Sequence, residues 1–315
     1  MDRIKPPRLK PGDTIGVVSP ASRPGEIRML RKGVKYLESL GYHVKLGPHV
    51  LNQRGYLAGE DKRRIADLHS MFGDPEVNAI FCSRGGYGSP RLLHQLDYDL
   101  IRNNPKIFIG YSDITALNMA FFKQAGLVNF SGPMVAVECG RGIEPFTEKS
   151  LWHMLASGDS ITKIVNPEGE KIKIVNSGKA SGLLMPVCFS VLHGILGTPY
   201  VPDFTGTILV LEDINEEPYR LDRYFSSLKA SGILDKLAAL VLGQFIDCES
   251  HDADKPSLTV HNVLKDYLAE LSIPVLSGLA YGHGAVKMTM PIGIRAEIDT
   301  RRRLFSIVES TVKGT

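Results

Sequence analysis

Between residues 14 and 160 the chain repeats one pattern, a short apolar run rich in β-branched residues followed by a longer amphipathic stretch. Thr14–Ser19 (TIGVVS) reads as a buried strand, and Glu26–Leu40 as the helix after it, ended by Gly41. Tyr42–Leu46 predicts the next strand, and Lys62–Phe72 a helix with Ile65, Leu68 and Phe72 on one face. Val77–Ser83 (VNAIFCS), Ile107–Gly110 (IFIG) and Leu127–Phe130 supply three more strands. Helices are predicted from about Ser89, over Asp113–Gln124 and over Glu148–Ser157. Parallel strands cannot be joined by a tight turn and need a crossover, usually a helix, so this alternation predicts a parallel sheet. The expected fold class is α/β, with a parallel-sheet domain over residues 1–160.

After residue 160 the texture changes. Residues 160–182 alternate polar and β-branched residues around Gly and Asn, which predicts antiparallel strands or a linking hairpin. Thr207–Leu211 (TILVL) and Leu237–Leu242 (LAALVL) read as buried strands, Val260–Leu271 as a helix, and Lys287–Val308 as short antiparallel strands. A boundary is expected near residues 158–175, with a smaller β-rich domain over residues 175–315.

Composition narrows the function classes. The 37 Lys and Arg against 34 Asp and Glu give a net charge of +3, spread along the chain, which gives no concentrated basic face for nucleic acid. No apolar run is long enough for a signal peptide or a membrane span, so no membrane partner is expected. Cys82, Cys139, Cys188 and Cys248 are far apart and form no CxxC pair, which fits free thiols in a cytoplasmic protein. HExxH is absent, and neither a metal nor a cofactor is expected.

The chemistry-bearing segments lie where predicted strands end. In IFIG-Tyr111-Ser112-Asp113-ITALNMAFF a strand enters, a polar turn holds a serine, and a helix leaves at once. Such a turn lifts a hydroxyl out at the carboxyl end of a parallel sheet, and the helix N-terminus adds N–H groups suited to an oxyanion. The same residues also serve as a plain N-cap, and the pattern is not GxSxG. Ser83-Arg84-Gly85-Gly86-Tyr87-Gly88-Ser89 likewise joins a strand to a helix. Its glycines allow close backbone approach to a ligand, whether a phosphate at a helix N-terminus or an oxyanion, or form a tight turn only.

Glu212 directly follows TILVL, so it is expected to be partly buried and to need a partner, while Glu216 and Glu217 read as solvated. His283 stands between Gly282 and Gly284, which leaves an imidazole room to reach into a shared site. His193 reads as a helix residue packed near the core. Each segment alone is equally a surface turn.

Taken in order, LKPGDTIGVVSPAS, GYLAGEDKRRIADLHSMFGDPEVNAIFCSRGGYGSPRLL, IGYSDITALN, LEDINEEPYRLDR and GHGAVKMTMPIG resemble the LD-carboxypeptidases and the related microcin C immunity proteins. The resemblance covers nearly the whole chain. It implies a Rossmann-like N-terminal domain, a smaller β-rich C-terminal domain, and a serine peptidase whose Ser-Glu-His triad falls on Ser112, Glu212 and His283. Oxyanion donors would be the backbone N–H groups of Gly86 and Asp113. Arg84 and Arg220 are candidates for contact with the substrate's free carboxylate, and Gly85 is a further substrate-binding candidate. The implied substrate is a small peptide, murein tetrapeptide, losing its terminal D-alanine after L-lysine or diaminopimelate in peptidoglycan recycling, and the implied assembly is a homodimer. An amidase acting on an aminoacyl-nucleotide antibiotic is a second reading, and a non-catalytic phosphate- or sugar-binding module a distant third. Many members carry Gly-Gly-Asn about where this chain has Leu184-Met185-Pro186-Val187-Cys188, so substrate contacts there do not carry over.

Overall fold

The computed structural model describes residues 2–252, 254 and 256–314. In the first half, β1 (Thr14–Val18), β2 (His43–Leu46), β3 (Val77–Cys82), β4 (Ile107–Ile109) and β5 (Asn129–Ser131) form a parallel array in the order β2-β1-β3-β4-β5. Period-two alternation assigns their side chains to two layers. Ile80 and Phe108 face α2 (Asp61–Gly73), where Phe72 lies 6.3 Å from Phe108 by ring centroids. Ile15, Val17, Ala79, Phe81 and Ile109 face the opposite layer with Leu30 and Leu37 of α1 (Ile27–Ser39). Both faces are covered, which is why the strands read as continuous apolar runs.

Expected and observed elements agree closely here, with two local differences. The helix expected from Ser89 is a 3-10 segment, Ser89–Gln95, with Pro90 in its first turn, and α3 (Tyr98–Asn103) follows. The helix expected over Asp113–Gln124 is composite: a 3-10 turn at Ser112–Ile114, α4 (Thr115–Ala120), and a π-turn at Phe121–Ala125. Gly126, at φ 71°, stops it. A second π-turn, Val135–Cys139, lies against α1, where a Cβ on Gly33 would stand 1.9 Å from the Val135 carbonyl oxygen. Only glycine permits that approach.

After α5 (Pro145–Ala156) the chain builds an eight-stranded sheet. Its strands are β6 (Thr162–Lys163), β7 (Lys173–Asn176), β8 (Lys179–Cys188), β9 (Ile208–Ile214), β10 (Ala239–Ile246) and β11 (Val275–Ser277), with β13 (Arg295–Asp299) and β14 (Leu304–Ile307) from the end of the chain. The order is β6-β14-β13-β8-β9-β10-β11-β7. The centre, β8 to β11, is parallel, linked through α6 (Phe189–Ile195), α7 (Pro218–Ala230) and α8 (Val260–Leu268); the flanks are antiparallel.

Residues 160–182 do not form the alternative of a hairpin with itself. β6 pairs β14 and β7 pairs β11, while β8 takes the centre. Burial decides this: β7 is largely exposed and suits an edge, whereas Leu184–Cys188 is fully buried. The expected antiparallel strands near the end of the chain divide likewise. β13 and β14 pair with each other, but β12 (Met290–Ile292) crosses to the first sheet and pairs antiparallel with β5. The segment between β11 and β12 therefore bridges the two sheets.

Candidate functional site

The first sheet's strand order reverses between β1 and β3, and ligands of such sheets bind at the carboxyl ends of the strands there. Ser83–Ser89 and Tyr111–Ser112 leave the carboxyl ends of β3 and the neighbouring β4. Ser112 takes φ 65°, a left-handed conformation that costs a non-glycine residue of order 1–3 kcal/mol and persists only where surrounding packing enforces it. That packing is visible. A Cβ on Gly85 would stand 2.8 Å from Ser112 Cβ and 3.1 Å from Ser112 Oγ, so the bare glycine lets the serine turn close against the loop.

Asp113 stitches the two turns together. It is 3% exposed; its carboxylate accepts the Ser89 N–H at 2.7 Å, and its carbonyl accepts the Ser89 hydroxyl. Burial pushes its carboxyl up, against the opposing effect of the Ser89 and Gly88 bonds. Ser22 braces the outer side of the glycine loop: its N–H donates to the Gly85 carbonyl at 3.1 Å and its Oγ accepts the Tyr87 N–H at 3.1 Å. Arg64, 2% exposed, donates to the Gly88 carbonyl at 3.0 Å and to the Pro20 carbonyl. Among the described residues, the Gly86 and Asp113 N–H groups have no protein acceptor.

From the other sheet, β9 carries Glu212 and Asp213, and the period of two sends them to opposite faces. Glu212 Oε2 lies 2.7 Å from His283 Nδ1, with side chains 1% and 11% exposed. A carboxylate so buried needs this partner. Asp213 turns instead to α6, accepting the Ser190 N–H at 2.7 Å and the Ser190 hydroxyl at 3.0 Å. Burial, then repulsion from Glu212, raises its carboxyl to about 6. Glu216 and Glu217 are half-buried in the following loop, Glu216 accepting the Tyr224 hydroxyl and Glu217 lying 3.5 Å from His251.

His283 meets the serine turn through Tyr111. The two rings pack edge to face with centroids 5.0 Å apart, and Ser112 is the next residue in the chain. Ser112 Oγ makes no hydrogen bond among the described residues, leaving its hydroxyl available. The arrangement unites an unengaged hydroxyl on a strained turn, an imidazole fixed by a buried carboxylate, and two free backbone N–H groups. These are the parts of a serine acyl-transfer site.

The LD-carboxypeptidase N-terminal domain family matches residues 15–132 and the LD-carboxypeptidase C-terminal domain family residues 181–298. The chain belongs to the LD-carboxypeptidase family. It is a hydrolase of the serine peptidase type. It is 40% identical over 310 residues to a probable murein peptide carboxypeptidase of Bacillus subtilis, covering 98% of this chain and 95% of that one. The microcin C7 self-immunity protein MccF of Escherichia coli is 30% identical over 329 residues, covering 96% and 94%. The structure of MccF with glutamyl sulfamoyl guanosine superposes with a TM-score of 0.90, at 28% identity over 98% of this chain and 99% of that one. A muramoyltetrapeptide carboxypeptidase from Oxalobacter formigenes superposes with a TM-score of 0.80, at 30% identity over 93% and 97%.

The other residues singled out in this LD-carboxypeptidase-family chain lie as follows. Gly85 packs on Ser112, and Arg84 is exposed, its guanidinium 3.5 Å from where a Cβ on Gly25 would be. Arg220 is exposed at the start of α7, hydrogen-bonded to the Tyr219 hydroxyl at 3.2 Å and 3.8 Å from Glu216. The His193 ring packs against Tyr224 in a tilted arrangement, with centroids 4.5 Å apart. Leu184–Cys188 lies inside β8; Cys188 there contacts Asp213, and burial raises its thiol well above the usual range. All four cysteines are free and buried. Among the described residues no helix is long and apolar enough to cross a membrane, and no group of His, Cys, Asp or Glu is placed to hold a metal ion.

Sequence reasoning missed Tyr111, Glu138, Gln244 and Lys287. Gln244 Oε1 accepts the Gly284 N–H at 3.0 Å and its Nε2 donates to the Val286 carbonyl at 3.2 Å, holding the histidine loop to β10. The available signal was a charged or amide residue within otherwise largely apolar stretches: VAVEC, LVLGQF and AVKMTM.

Proposed function

We propose that Ser112, Glu212 and His283 are the catalytic triad of an enzyme that removes the terminal D-alanine of murein tetrapeptide, cutting after L-lysine or diaminopimelate. The observation that carries the triad is the 2.7 Å bond between His283 Nδ1 and buried Glu212, with the same imidazole packed on the residue preceding Ser112. Glu212 fixes the tautomer that leaves His283 Nε2 free to accept a proton, and it stabilises the imidazolium that forms. Ser112 Oγ attacks the scissile carbonyl as its proton passes to His283. The Gly86 and Asp113 N–H groups donate to the oxyanion, where losing one donor typically costs about 100–1000-fold in rate. His283 then protonates the leaving amine of D-alanine, and water attacks the acyl-enzyme to restore Ser112.

The serine and its partners would come from two units, residues 1–160 and 175–315, so the site depends on how these are held together. Exposed Arg84 and Arg220 are the cationic groups offered to a terminal carboxylate, with Gly85 beside the nucleophile. Buried free thiols suit a cytoplasmic protein, and the resemblance carries the expectation of a homodimer.

The 40% identity to the Bacillus subtilis relative supports murein peptide as the substrate. The TM-score of 0.90 to ligand-bound MccF supports a second reading, an amidase acting on an aminoacyl-nucleotide antibiotic with the same triad. Incubation with murein tetrapeptide and with an aminoacyl sulfamoyl adenosine, read by mass spectrometry, separates them. The first reading expects D-alanine from the peptide; cleavage of the adenosine compound alone would replace it with the second.

A further inference from the structure

Directly behind the proposed triad lies a buried polar cluster that the mechanism does not use. Lys287, four residues beyond His283, and Glu138, in the π-turn Val135–Cys139, have side chains 5% and 9% exposed. Lys287 Nζ donates to Glu138 Oε1 at 2.5 Å and to the Tyr111 hydroxyl at 3.0 Å, and the Tyr111 hydroxyl donates to the same Glu138 oxygen at 2.8 Å. Glu138 Oε2 accepts the Met134 N–H at 2.9 Å, so the carboxylate is itself fixed.

We propose that Lys287 is a positioning residue, holding His283 against the Ser112 turn through its buried ion pair with Glu138 and its contact with Tyr111. This rests on the triad reading. The geometry gives the cluster a direction. The Tyr111 ring meets the imidazole of His283 edge to face at 5.0 Å and the Lys287 ammonium at 4.4 Å from its centroid. One aromatic ring, attached to the backbone of the nucleophile, is thus gripped by both ends of the segment His283–Lys287. The segment's middle is tied to Gln244 of β10, and the Lys287 N–H donates to Thr147 Oγ1 of α5 at 3.0 Å. Gln244 alone would fix the histidine to the second sheet only. The Lys287–Glu138 pair refers the same segment to the first sheet, where Ser112 stands.

Stability does not explain the pair. Removing two charges from water is costly, and well-packed apolar residues of similar volume usually serve as well or better. An ion pair retained here does what apolar contact cannot, since its hydrogen bonds define distance and direction. A misplacement of about 1 Å in reacting groups can cost on the order of 100-fold in rate.

The test compares wild type, Lys287→Met, Glu138→Leu, the Lys287→Met/Glu138→Leu double variant and Ser112→Ala, measuring kcat and KM on murein tetrapeptide and urea unfolding midpoints. Each single charge variant leaves the other charge buried and alone, and should lose both stability and activity. The double variant should regain the wild-type unfolding midpoint yet keep a kcat about 10–100-fold below wild type, with KM within about twofold. Recovery of kcat together with stability would make the cluster merely structural and overturn the proposal, as would full kcat in Lys287→Met. Ser112→Ala keeps the two levels apart: if it turns over like wild type, or if wild type releases nothing, the triad or substrate reading has failed, whereas an inactive Ser112→Ala beside a fully active double variant refutes the positioning role alone.

Discussion

Replacing Gly282 by alanine probes the packing that presents Glu212 to His283. Gly282 has φ 130°, and a Cβ there would stand 2.7 Å from Glu212 Oε2, 2.9 Å from its Cβ and 3.1 Å from its Cγ. Bringing the nearest of these to about 3.4 Å requires a movement of about 0.7 Å. Glu212 is 1% exposed and sits on a central strand, and a Cβ on Gly243 would lie 3.3 Å from it on another side, so it has little room to retreat. The carboxylate oxygen pushed aside is the one bonded to His283 at 2.7 Å, and a displacement of that size takes the bond beyond hydrogen-bonding distance or swings the imidazole with it. A loss of roughly 10–100-fold in kcat follows from the misplacement, and the backbone strain adds about 1–3 kcal/mol of destabilisation. Steady-state kinetics on murein tetrapeptide, with urea unfolding on the same preparations, reads both effects. A Gly282→Ala protein with kcat within threefold of wild type would mean that the Glu212–His283 bond is not set by contact with this glycine.

Two further perturbations address different parts of the site. Gly86→Ala sets a Cβ 2.4 Å from Ser22 Oγ at φ 103°, so the loop must shift; kcat should fall roughly 10- to 1000-fold with a smaller change in KM, and unchanged kcat would remove Gly86 as an oxyanion donor. Asp213→Asn tests the buried carboxyl of β9. A carboxyl raised from 3.8 to about 6 by folding binds its proton more tightly in the folded state, so it favours folding at low pH and loses that contribution as pH rises through about 6. Relative to Asp213→Asn, the wild type should therefore lose about 2 kcal/mol of unfolding free energy between pH 4 and pH 7. A difference that stays flat over this range would contradict the elevation.

The first sheet was legible because its strands carry their own signal. TIGVV, VNAIFC and IFI are buried on both faces, and the glycines and prolines around them mark the turns. The second sheet was harder for a physical reason. β7 is four mostly exposed residues whose partner, β11, lies about a hundred positions away, and alternation fixes a strand's faces but not its neighbour. The crossing of β12 to β5 is of the same kind: MPI looks like any short apolar strand, and only the three-dimensional arrangement of both sheets decides which edge it joins.

The site divides similarly. Ser112, Glu212 and His283 each sit in a local context that sequence can register, a turn after a strand, an acid at a strand end, an imidazole between glycines. Asp113 could be read as a helix cap, whereas its side chain in fact holds the N-terminal N–H of the Ser89–Gln95 segment, 24 residues away. Glu138 and Lys287 are 149 residues apart, and no local pattern relates them. What made the proposed triad readable was the order of motifs along the chain; what hid Glu138 and Lys287 was that their contact joins distant parts of the chain.

In the proposed mechanism Ser112 is the nucleophile for release of a terminal D-amino acid. Murein tetrapeptide incubated with wild type and with Ser112→Ala, followed by mass spectrometry, tests it most directly. Free D-alanine and tripeptide are expected from the wild type, and no turnover from a Ser112→Ala protein with the same unfolding midpoint. Equal release by both proteins, or none by the wild type from either lysine or diaminopimelate peptides, would contradict it.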